Sequence, residues 1–320
     1  MTWNGALNFH GIEQRTCPKP VRKPIFAGGF DASLQTNRKA PRKKKKMKQP
    51  EIYFHVGLGK VASTYLQHRF FPKLKGIHYI KSTRYRRSPK IIKDTNYDKY
   101  FLSREFDQQL EDEVKWFSSY YPNARPIIIF RRHDGWIASQ YRRYIKNGGY
   151  LPFDEFFDVE NDRGLWKIKH VTFYTNLEIL EKYFGTKPLV LFHDELKEDA
   201  WAFFDKIADF CGVTYNRADI SLAPVHRSYS EKQLRIMRSV ARNIFGEKPP
   251  EFSTQPLLHW LQRRGRLLAC YGILYPAQLA PSFVVPEEEL TPKEDLKQIR
   301  DFFEGDWERL KAYAAAQSSR

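Results

Sequence analysis

Residues 55–67 read HVGLGKVASTYLQ and contain glycines, a lysine and adjacent hydroxyl side chains. An apolar run precedes Gly57 and Gly59, and an amphipathic pattern follows from Ser63, which predicts a strand, a tight turn and a helix. At such a turn, backbone N–H groups and the positive end of the helix dipole bind anionic oxygens. Lys60 adds a point charge at the same place. The segment therefore predicts a binding loop for a phosphorylated nucleotide.

This loop differs from the loop of P-loop proteins that hydrolyse ATP or GTP. That motif has a glycine five positions before the glycine that precedes the lysine, and a Ser or Thr directly after the lysine to ligate Mg²⁺. Phe54 and Val61 occupy these two positions. The strand predicted at residues 126–130 is followed by Arg131 and Arg132, where a metal-binding Asp would be expected. These differences favour a nucleotide that reacts without a metal, so no metal ligand is predicted.

A second anion site is predicted after the strand at residues 126–130. Open α/β sheets bind ligands at the carboxyl ends of their strands, and Arg131 stands at such an end. A guanidinium can hold a phosphate through two parallel hydrogen bonds. Ser139 lies in the first turns of the predicted helix that follows, where its hydroxyl can donate one more bond.

Residues 59–66 resemble the loop of the sulfotransferases that use 3′-phosphoadenosine 5′-phosphosulfate (PAPS). The loop of that family reads roughly Pro-Lys-x-Gly-Thr-Thr-x-Leu after a strand. Here Gly59, Ala62 and Ser63 replace the proline, the glycine and the first threonine, whereas Lys60 and Thr64 are kept. The resemblance implies that this loop binds the 5′-phosphosulfate. The residues it assigns to the cofactor are Gly57, Gly59, Lys60, Ala62, Ser63, Thr64 and Tyr65.

The second signature of that family is an Arg at the end of a central strand with a Ser eight residues later. Arg131 and Ser139 have this spacing, although His133 stands where the family usually has a proline. The resemblance implies that Arg131 and Ser139 hold the 3′-phosphate.

Weaker similarities continue along the chain. Residues 190–196 are similar to the family's strand followed by an acidic pair and Leu, and residues 211–213 to its Gly-Val helix end. Arg227 and Ser228 precede a predicted helix, where the family often contacts the cofactor's phosphate. The resemblance covers roughly residues 51–245.

The resemblance implies an enzyme that transfers a sulfuryl group from PAPS to a hydroxyl or amine, with Lys60 acting on the bridging oxygen. Glu105 is predicted to be the general base, because it stands at a predicted helix start, as does an acidic Ser-x-Glu element in bacterial members. A simple charge interaction with the helix dipole is the open alternative for Glu105. His78 is predicted to be structural, and His133 is predicted to lie far from the sulfur.

The acceptor is not specified by any motif. Residues 81–99 interleave basic and aromatic side chains, which suits a carbohydrate or another small or anionic acceptor but also a solvated surface. Lys81 has the same two interpretations. Residues 246–292 are predicted to form an irregular insertion that caps the acceptor side.

Strands and helices alternate after Pro50, which predicts an α/β fold with three α/β/α layers and a central, mostly parallel sheet, similar to the P-loop-like sulfotransferase fold. One domain is predicted over residues 51–320. The predicted strands and helices are listed here by residue number: strands 52–56, 76–80, 126–130 and 188–192; helices 63–71, 105–121, 134–146 and 165–184.

The net charge of +17 is concentrated at the N-terminus. Residues 1–50 carry twelve Lys or Arg against two acidic residues, which predicts a disordered basic leader able to contact a membrane surface or nucleic acid. Specific nucleic-acid binding is not predicted, since the rest of the chain has no recognisable reading module. Three scattered cysteines and no signal-like start predict a cytoplasmic protein. The alternative function is a P-loop kinase with a degenerate loop, and the oligomeric state is left open.

Overall fold

The apolar runs after Pro50 form a five-stranded sheet in which all neighbouring strands are parallel. In this computed structural model, the described residues are 49–223, 228–246 and 253–318. The predicted leader therefore lies outside the described residues except for its last two positions, and Arg227 lies outside them as well. The strand order is β2-β3-β1-β4-β5. The strands are β1 (Glu51–Gly57), β2 (His78–Ile80), β3 (Lys99–Glu105), β4 (Arg125–Phe130) and β5 (Leu189–Phe192).

Helices fill the connections. They are α1 (Ser63–Tyr65), α2 (Ser88–Asp94), α3 (Leu110–Ser118), α4 (His133–Lys146), α5 (Phe153–Phe156), α6 (Ile168–Val171), α7 (Tyr174–Phe184), α8 (His193–Glu198), α9 (Ala200–Cys211), α10 (Glu231–Phe245), α11 (Pro256–Ala277), α12 (Lys293–Phe302) and α13 (Glu304–Ser318). Shorter turns complete them: a π-helix (Leu66–Phe70) and 3₁₀ turns (Phe71–Lys73, Ser82–Arg87, Arg217–Asp219, Ser282–Val284). Of the helices in the described ranges, none combines the length and the apolar character needed to cross a bilayer.

The sheet is covered on both faces. Successive side chains of a strand point to opposite faces, and every residue from position 52 to position 57 of β1 is buried. One cluster of buried side chains extends from β1 to α13, which packs beside β5. A parallel sheet buried on both faces forms from continuous apolar runs such as that of β4, whose Ile127, Ile128 and Ile129 are fully buried. The predicted three-layer α/β class is confirmed.

The structure corrects the prediction around residue 105. Residues 99–105 form strand β3, whereas the sequence predicted no strand there and a helix over residues 105–121. Helix α3 begins only at Leu110. The apolar centre of β3, Tyr100 to Leu102, is short and lies between charged residues, so the sequence pattern did not indicate a strand. Glu105 therefore ends a strand and does not begin a helix, so the helix-dipole interpretation of this residue is wrong.

The segment 246–292 is also more regular than predicted. Its described part contains the 22-residue helix α11. The prolines that suggested an irregular chain occupy tolerated places, because one lies in the first turn of α11 and Pro276 lies in its last turn. The predicted helix over residues 165–184 is divided into α6 and α7, and the predicted helix over residues 63–71 continues from α1 as the π-helix.

Candidate active site

The two predicted anion loops follow neighbouring strands. We call residues 57–65 the Lys60 loop and residues 131–135 the Arg131 turn. After β1 the chain builds β2 and β3 on one side of it, and β4 and β5 lie on the other side. The crevice between β1 and β4 is thus a topological switch point, where open α/β sheets bind ligands at the carboxyl edge. The indole Nε1 of Trp136 donates to the carbonyl oxygen of Gly59 at 2.8 Å and joins helix α4 to the Lys60 loop.

The Lys60 loop holds two non-glycine residues in the left-handed backbone region. The φ angles of Lys60 and Ala62 are 70° and 65°. Ala62 is the residue that precedes α1, and it stands where the sulfotransferase loop has glycine. A side chain in this region is strained by about 1–3 kcal/mol, and such residues persist mainly at functional sites.

We expect Ala62→Gly to raise the free energy of unfolding by about 1 kcal/mol, because glycine adopts a positive φ without steric cost. Urea denaturation of the two proteins measures this difference. Ala312→Gly is the matched control, since this exposed residue lies within helix α13 and should lose about 1 kcal/mol instead. A less stable Ala62→Gly protein would show that the methyl group is needed there.

Asp107 organises the Lys60 loop. Its Oδ1 accepts the N–H of Gly59 at 2.9 Å, and its Oδ2 accepts Nη2 of Arg143 at 2.7 Å. Gln140 Nε2 also donates to Oδ1 at 3.3 Å. Since the carbonyl of Gly59 is bonded to Trp136, both backbone polar groups of Gly59 are engaged. Gly59 therefore shapes the loop here and does not present a free N–H to a ligand.

Lys60 and Glu105 lie at the ends of adjacent strands. The register of β1 and β3 pairs Gly57 with Glu105. Burial, and after it the negative charge of Asp107, raises the pKa of Glu105 to about 7. Burial, with repulsion from Arg143 and Lys146, lowers the pKa of Lys60 to about 8. An acid and a base that titrate near neutral pH at the ends of adjacent strands can take part in proton transfer and charge stabilisation.

Helix α4 adds cations that the sequence reasoning missed. Ser139, Arg143 and Lys146 recur at a spacing of four and three residues, which puts them on one face of the helix. The pKa of Lys146 is lowered by burial and by Arg143. Neither Lys60 nor Lys146 makes an ion pair or hydrogen bond with a described residue. The signal in the sequence was the continuation of the Ser139 face into basic residues.

The remaining residues of the Lys60 loop have varied surroundings. Gly57 is buried, and a Cβ there would lie 2.9 Å from Cε1 of His55 and 3.1 Å from Oγ of Ser63. Ser63 Oγ donates to the carbonyl of Leu58 at 3.2 Å and closes the loop from inside. Thr64 is half-buried. The Tyr65 hydroxyl donates to the carbonyl of Ser221 at 3.1 Å, on a loop that follows α9.

The Arg131 turn presents its guanidinium beside Gly135, where a Cβ would lie 3.2 Å from Nε. Burial lowers the pKa of Arg131. Among the described residues no carboxylate lies within 4 Å of this guanidinium. Ser139 is half-buried, two turns into α4, and Ser228 is exposed.

Three histidines pack against neighbouring side chains, and two of them were candidates in the sequence. His133 is buried between the rings of Phe173 and Phe303, and its Nε2 lies 2.9 Å from Asp306. His78 is stacked on Tyr97 with a centroid distance of 4.3 Å. A third, which the sequence reasoning missed, is His55 in the middle of β1. Its Nδ1 is 2.8 Å from Ser103 Oγ, its Nε2 has no described partner, and burial lowers its pKa to about 3.

In the basic and aromatic segment after β2, some side chains are buried and others are exposed. Tyr85 is buried and packs on Phe54, whereas Arg86 pairs with Glu113 and lies over the ring of Trp116. Lys81 is exposed. Within the described ranges, no group of three or more His, Cys, Asp or Glu side chains is arranged to hold a metal.

No family model matches the chain, and no curated protein matches its sequence significantly. Comparison with solved structures gives several matches. This chain is similar in structure to sulfotransferases. One is a sulfotransferase from Alicyclobacillus acidocaldarius, with 14% identity and a TM-score of 0.45, covering 61% of this chain and 94% of that one. Another is mouse sulfotransferase SULT7A1 complexed with PAP, with 13% identity and a TM-score of 0.37, covering 83% of this chain and 90% of that one.

Proposed function

We propose that the protein is a PAPS-dependent sulfotransferase. The observation that carries this proposal is the position of Lys60 and Arg131. They follow neighbouring strands at one switch point of the sheet, and neither has a carboxylate partner among the described residues. A nucleotide with anionic groups at two ends is the class of ligand that such a pair of cationic loops suits.

The residues present fit the charges of this donor. The hydroxyl of Thr64 and the N–H groups at the start of α1 would hold the 5′-phosphate end, with Ser63 closing the loop beneath it, and Arg131 and Ser139 would hold the 3′-phosphate. Arg227 and Ser228 would add contacts to the phosphate. PAPS, when bound, supplies an activated sulfuryl group and a stable leaving group. Lys60 would neutralise the negative charge that develops on the bridging oxygen, where positioned cations contribute most of the catalysis.

Glu105 would take the proton of the acceptor. A general base works best when its pKa is near the working pH, and burial of Glu105 raises its pKa to about 7. Its carboxylate ends the strand next to β1, beside the Lys60 loop. The family's bacterial members suggested this role, and the strand register supports it.

The acceptor would be a hydroxyl compound that carries negative charge, such as an acidic carbohydrate. Arg143 and Lys146 extend the cationic surface beyond Lys60, and the pKa of Lys146 is lowered by burial and, after it, by the charge of Arg143. Asp107 neutralises only one of these cations. An anionic acceptor would relieve the remaining repulsion, as electrostatic complementarity requires.

The proposal is tested by thermal melting with the bisphosphate product, 3′-phosphoadenosine 5′-phosphate. We expect a stabilisation of about 2.7 kcal/mol at 100 times the dissociation constant, without added metal. Arg131→Ala should raise the ligand concentration needed for the same stabilisation at least tenfold, because the 3′-phosphate loses a bidentate contact. Arg309→Ala, an exposed residue on α13, is the matched control and should not change it. A larger stabilisation by ATP with Mg²⁺ would favour the kinase instead.

A further inference from the structure

Helix α11 exposes an apolar stripe to solvent. One side of the helix carries large apolar residues at spacings of four or seven: Leu257, Leu261, Leu268, Tyr275 and, just beyond the helix, Leu279. Leu268 is 68% exposed and Leu279 is 87% exposed. The other side of α11 is buried through Cys270, Leu274 and Ala277, and it packs on α10. The exposed stripe is therefore additional to the face that holds the helix in the fold.

Further large apolar side chains widen the stripe into a patch. Trp260 is half-exposed beside it, and Phe283 is 87% exposed in the 3₁₀ turn that follows α11. Monomeric proteins rarely leave such contiguous apolar surface uncovered. We call this surface the α11 face. Its members are Leu257, Leu258, Trp260, Leu261, Leu268, Tyr275, Leu279, Phe283 and Val284.

Helix α11 itself carries charges of one sign, and the exposed Glu287, Glu288 and Glu289 lie beyond the 3₁₀ turn that follows it. Residues 253–286 contain three arginines and no Asp, Glu or Lys. Arg266 is used internally, since its guanidinium donates to the carbonyl oxygens of Asn147 and Gly148. Arg263 and Arg264 make no ion pair with a described residue, and Arg264 lies over the exposed ring of Trp260. Arg264 lies on the exposed side of the helix, whereas Arg263 is half-buried on the side of Cys270. The exposed side of α11 thus combines leucines and aromatic rings with the unpaired cation of Arg264.

We propose that the α11 face docks on an anionic lipid surface. Its leucines and aromatic rings would enter the boundary between headgroups and acyl chains, and Arg264 would contact lipid phosphates, as in helices that lie in the membrane interface. A second copy of the chain is a poorer occupant, because pairing two such helices would bring the two unpaired Arg264 guanidinium groups together, and α11 has no carboxylate to place between them.

The side of α11 opposite the α11 face is attached to the helix that carries part of the candidate site. The contacts of Arg266 attach α11 to the end of α4, the helix that carries Ser139, Arg143 and Lys146. The proposal itself does not depend on the sulfotransferase activity, since it uses only exposure and charge.

The test is co-sedimentation of the full chain with vesicles. We expect binding to vesicles of equal parts phosphatidylcholine and phosphatidylglycerol, and little binding to phosphatidylcholine alone. The triple variant Leu257→Gln, Leu261→Gln and Leu268→Gln should lower the affinity for anionic vesicles by a factor on the order of ten or more, because apolar area no longer enters the lipid. These positions are exposed, so the variant should fold, and an unchanged melting temperature checks this.

Two controls test whether another part of the chain accounts for vesicle binding. Tyr120→Gln with Phe302→Gln changes exposed aromatic residues elsewhere and should leave vesicle binding unchanged. A full chain with Lys43, Lys44, Lys45 and Lys46 changed to Gln tests the basic N-terminal segment. If that change abolished binding while the triple variant bound normally, the proposal would be wrong. It would also be wrong if the protein bound no vesicles, or if the triple variant only converted a dimer into a monomer.

Discussion

Lys60→Met is expected to lower turnover by a factor of about 10²–10³ and, at the same time, to make the unliganded protein more stable. The loss of turnover is the usual cost of removing one preorganised group that stabilises transition-state charge. The gain in stability follows from burial, which lowers the pKa of Lys60 to about 8. A merely structural lysine would not produce both effects in opposite directions.

The direction of the stability effect can be derived from the pKa. The folded pKa of Lys60 is below its ordinary value of 10.5, so the unfolded chain binds this proton more tightly. The charged amine therefore destabilises the fold at every pH below about 8, and this penalty disappears as the pH rises to 10.5. At neutral pH the methionine variant should gain on the order of 1–2 kcal/mol, after a reduction for partial solvent exposure.

The measurement pairs thermal melting with a sulfuryl-transfer assay. Lys115→Met is the matched control, because Lys115 is exposed on α3 and far in sequence from both anion loops. It should change neither quantity. Normal turnover in Lys60→Met would remove Lys60 from the mechanism, and a less stable variant would contradict its burial as a charged group.

Glu105→Gln is expected to lower turnover by a factor of about 10²–10⁴ while the affinity for the bisphosphate stays the same. In the unmodified enzyme we expect a narrow bell-shaped profile of kcat/KM against pH. Activity should rise as Glu105 loses its proton near pH 7 and fall as Lys60 loses its proton near pH 8. The variant should lose the acidic limb of this profile and keep the basic limb.

The contribution of Glu105 to the free energy of unfolding depends on pH in the opposite direction to that of an ordinary paired carboxylate. Its folded pKa lies above the ordinary 4.5, so its contribution is most favourable below pH 4.5 and is lost as the pH rises through 7. Glu105→Gln should thus be more stable than the unmodified protein at pH 8 and similar to it at pH 4.

Asp107→Asn provides a sharper control than an exposed carboxylate. The amide oxygen can still accept the N–H of Gly59, whereas the negative charge that helps to raise the pKa of Glu105 is gone. The acidic limb should then move to lower pH. If the limb does not move in this variant and survives in Glu105→Gln, another group is the base.

The role of Glu105 illustrates why the sequence alone was insufficient at the site. The sequence made Glu105 a candidate base, but the neighbours that set its pKa come from elements far away along the chain. Gly59 meets Asp107 across 48 positions, and Trp136 meets Gly59 across 77. A pKa depends on burial and on charges nearby in space, which a local pattern does not contain. Because β3 was not recognised, Asp107 and the placement of Glu105 could not be predicted.

The sequence by itself determined the parts that depend on local chemistry. The apolar runs of β1, β4 and β5, the glycine turn before Lys60 and the Arg at the end of β4 follow from side-chain pattern and backbone sterics. Only the tertiary structure decided which strands are neighbours and which charges share a crevice. It put β3 beside β1, Arg143 and Lys146 beside Lys60, and Ala62 in a strained left-handed turn. The physical reason is that strand pairing and desolvation are long-range properties, set by the packing of the whole chain.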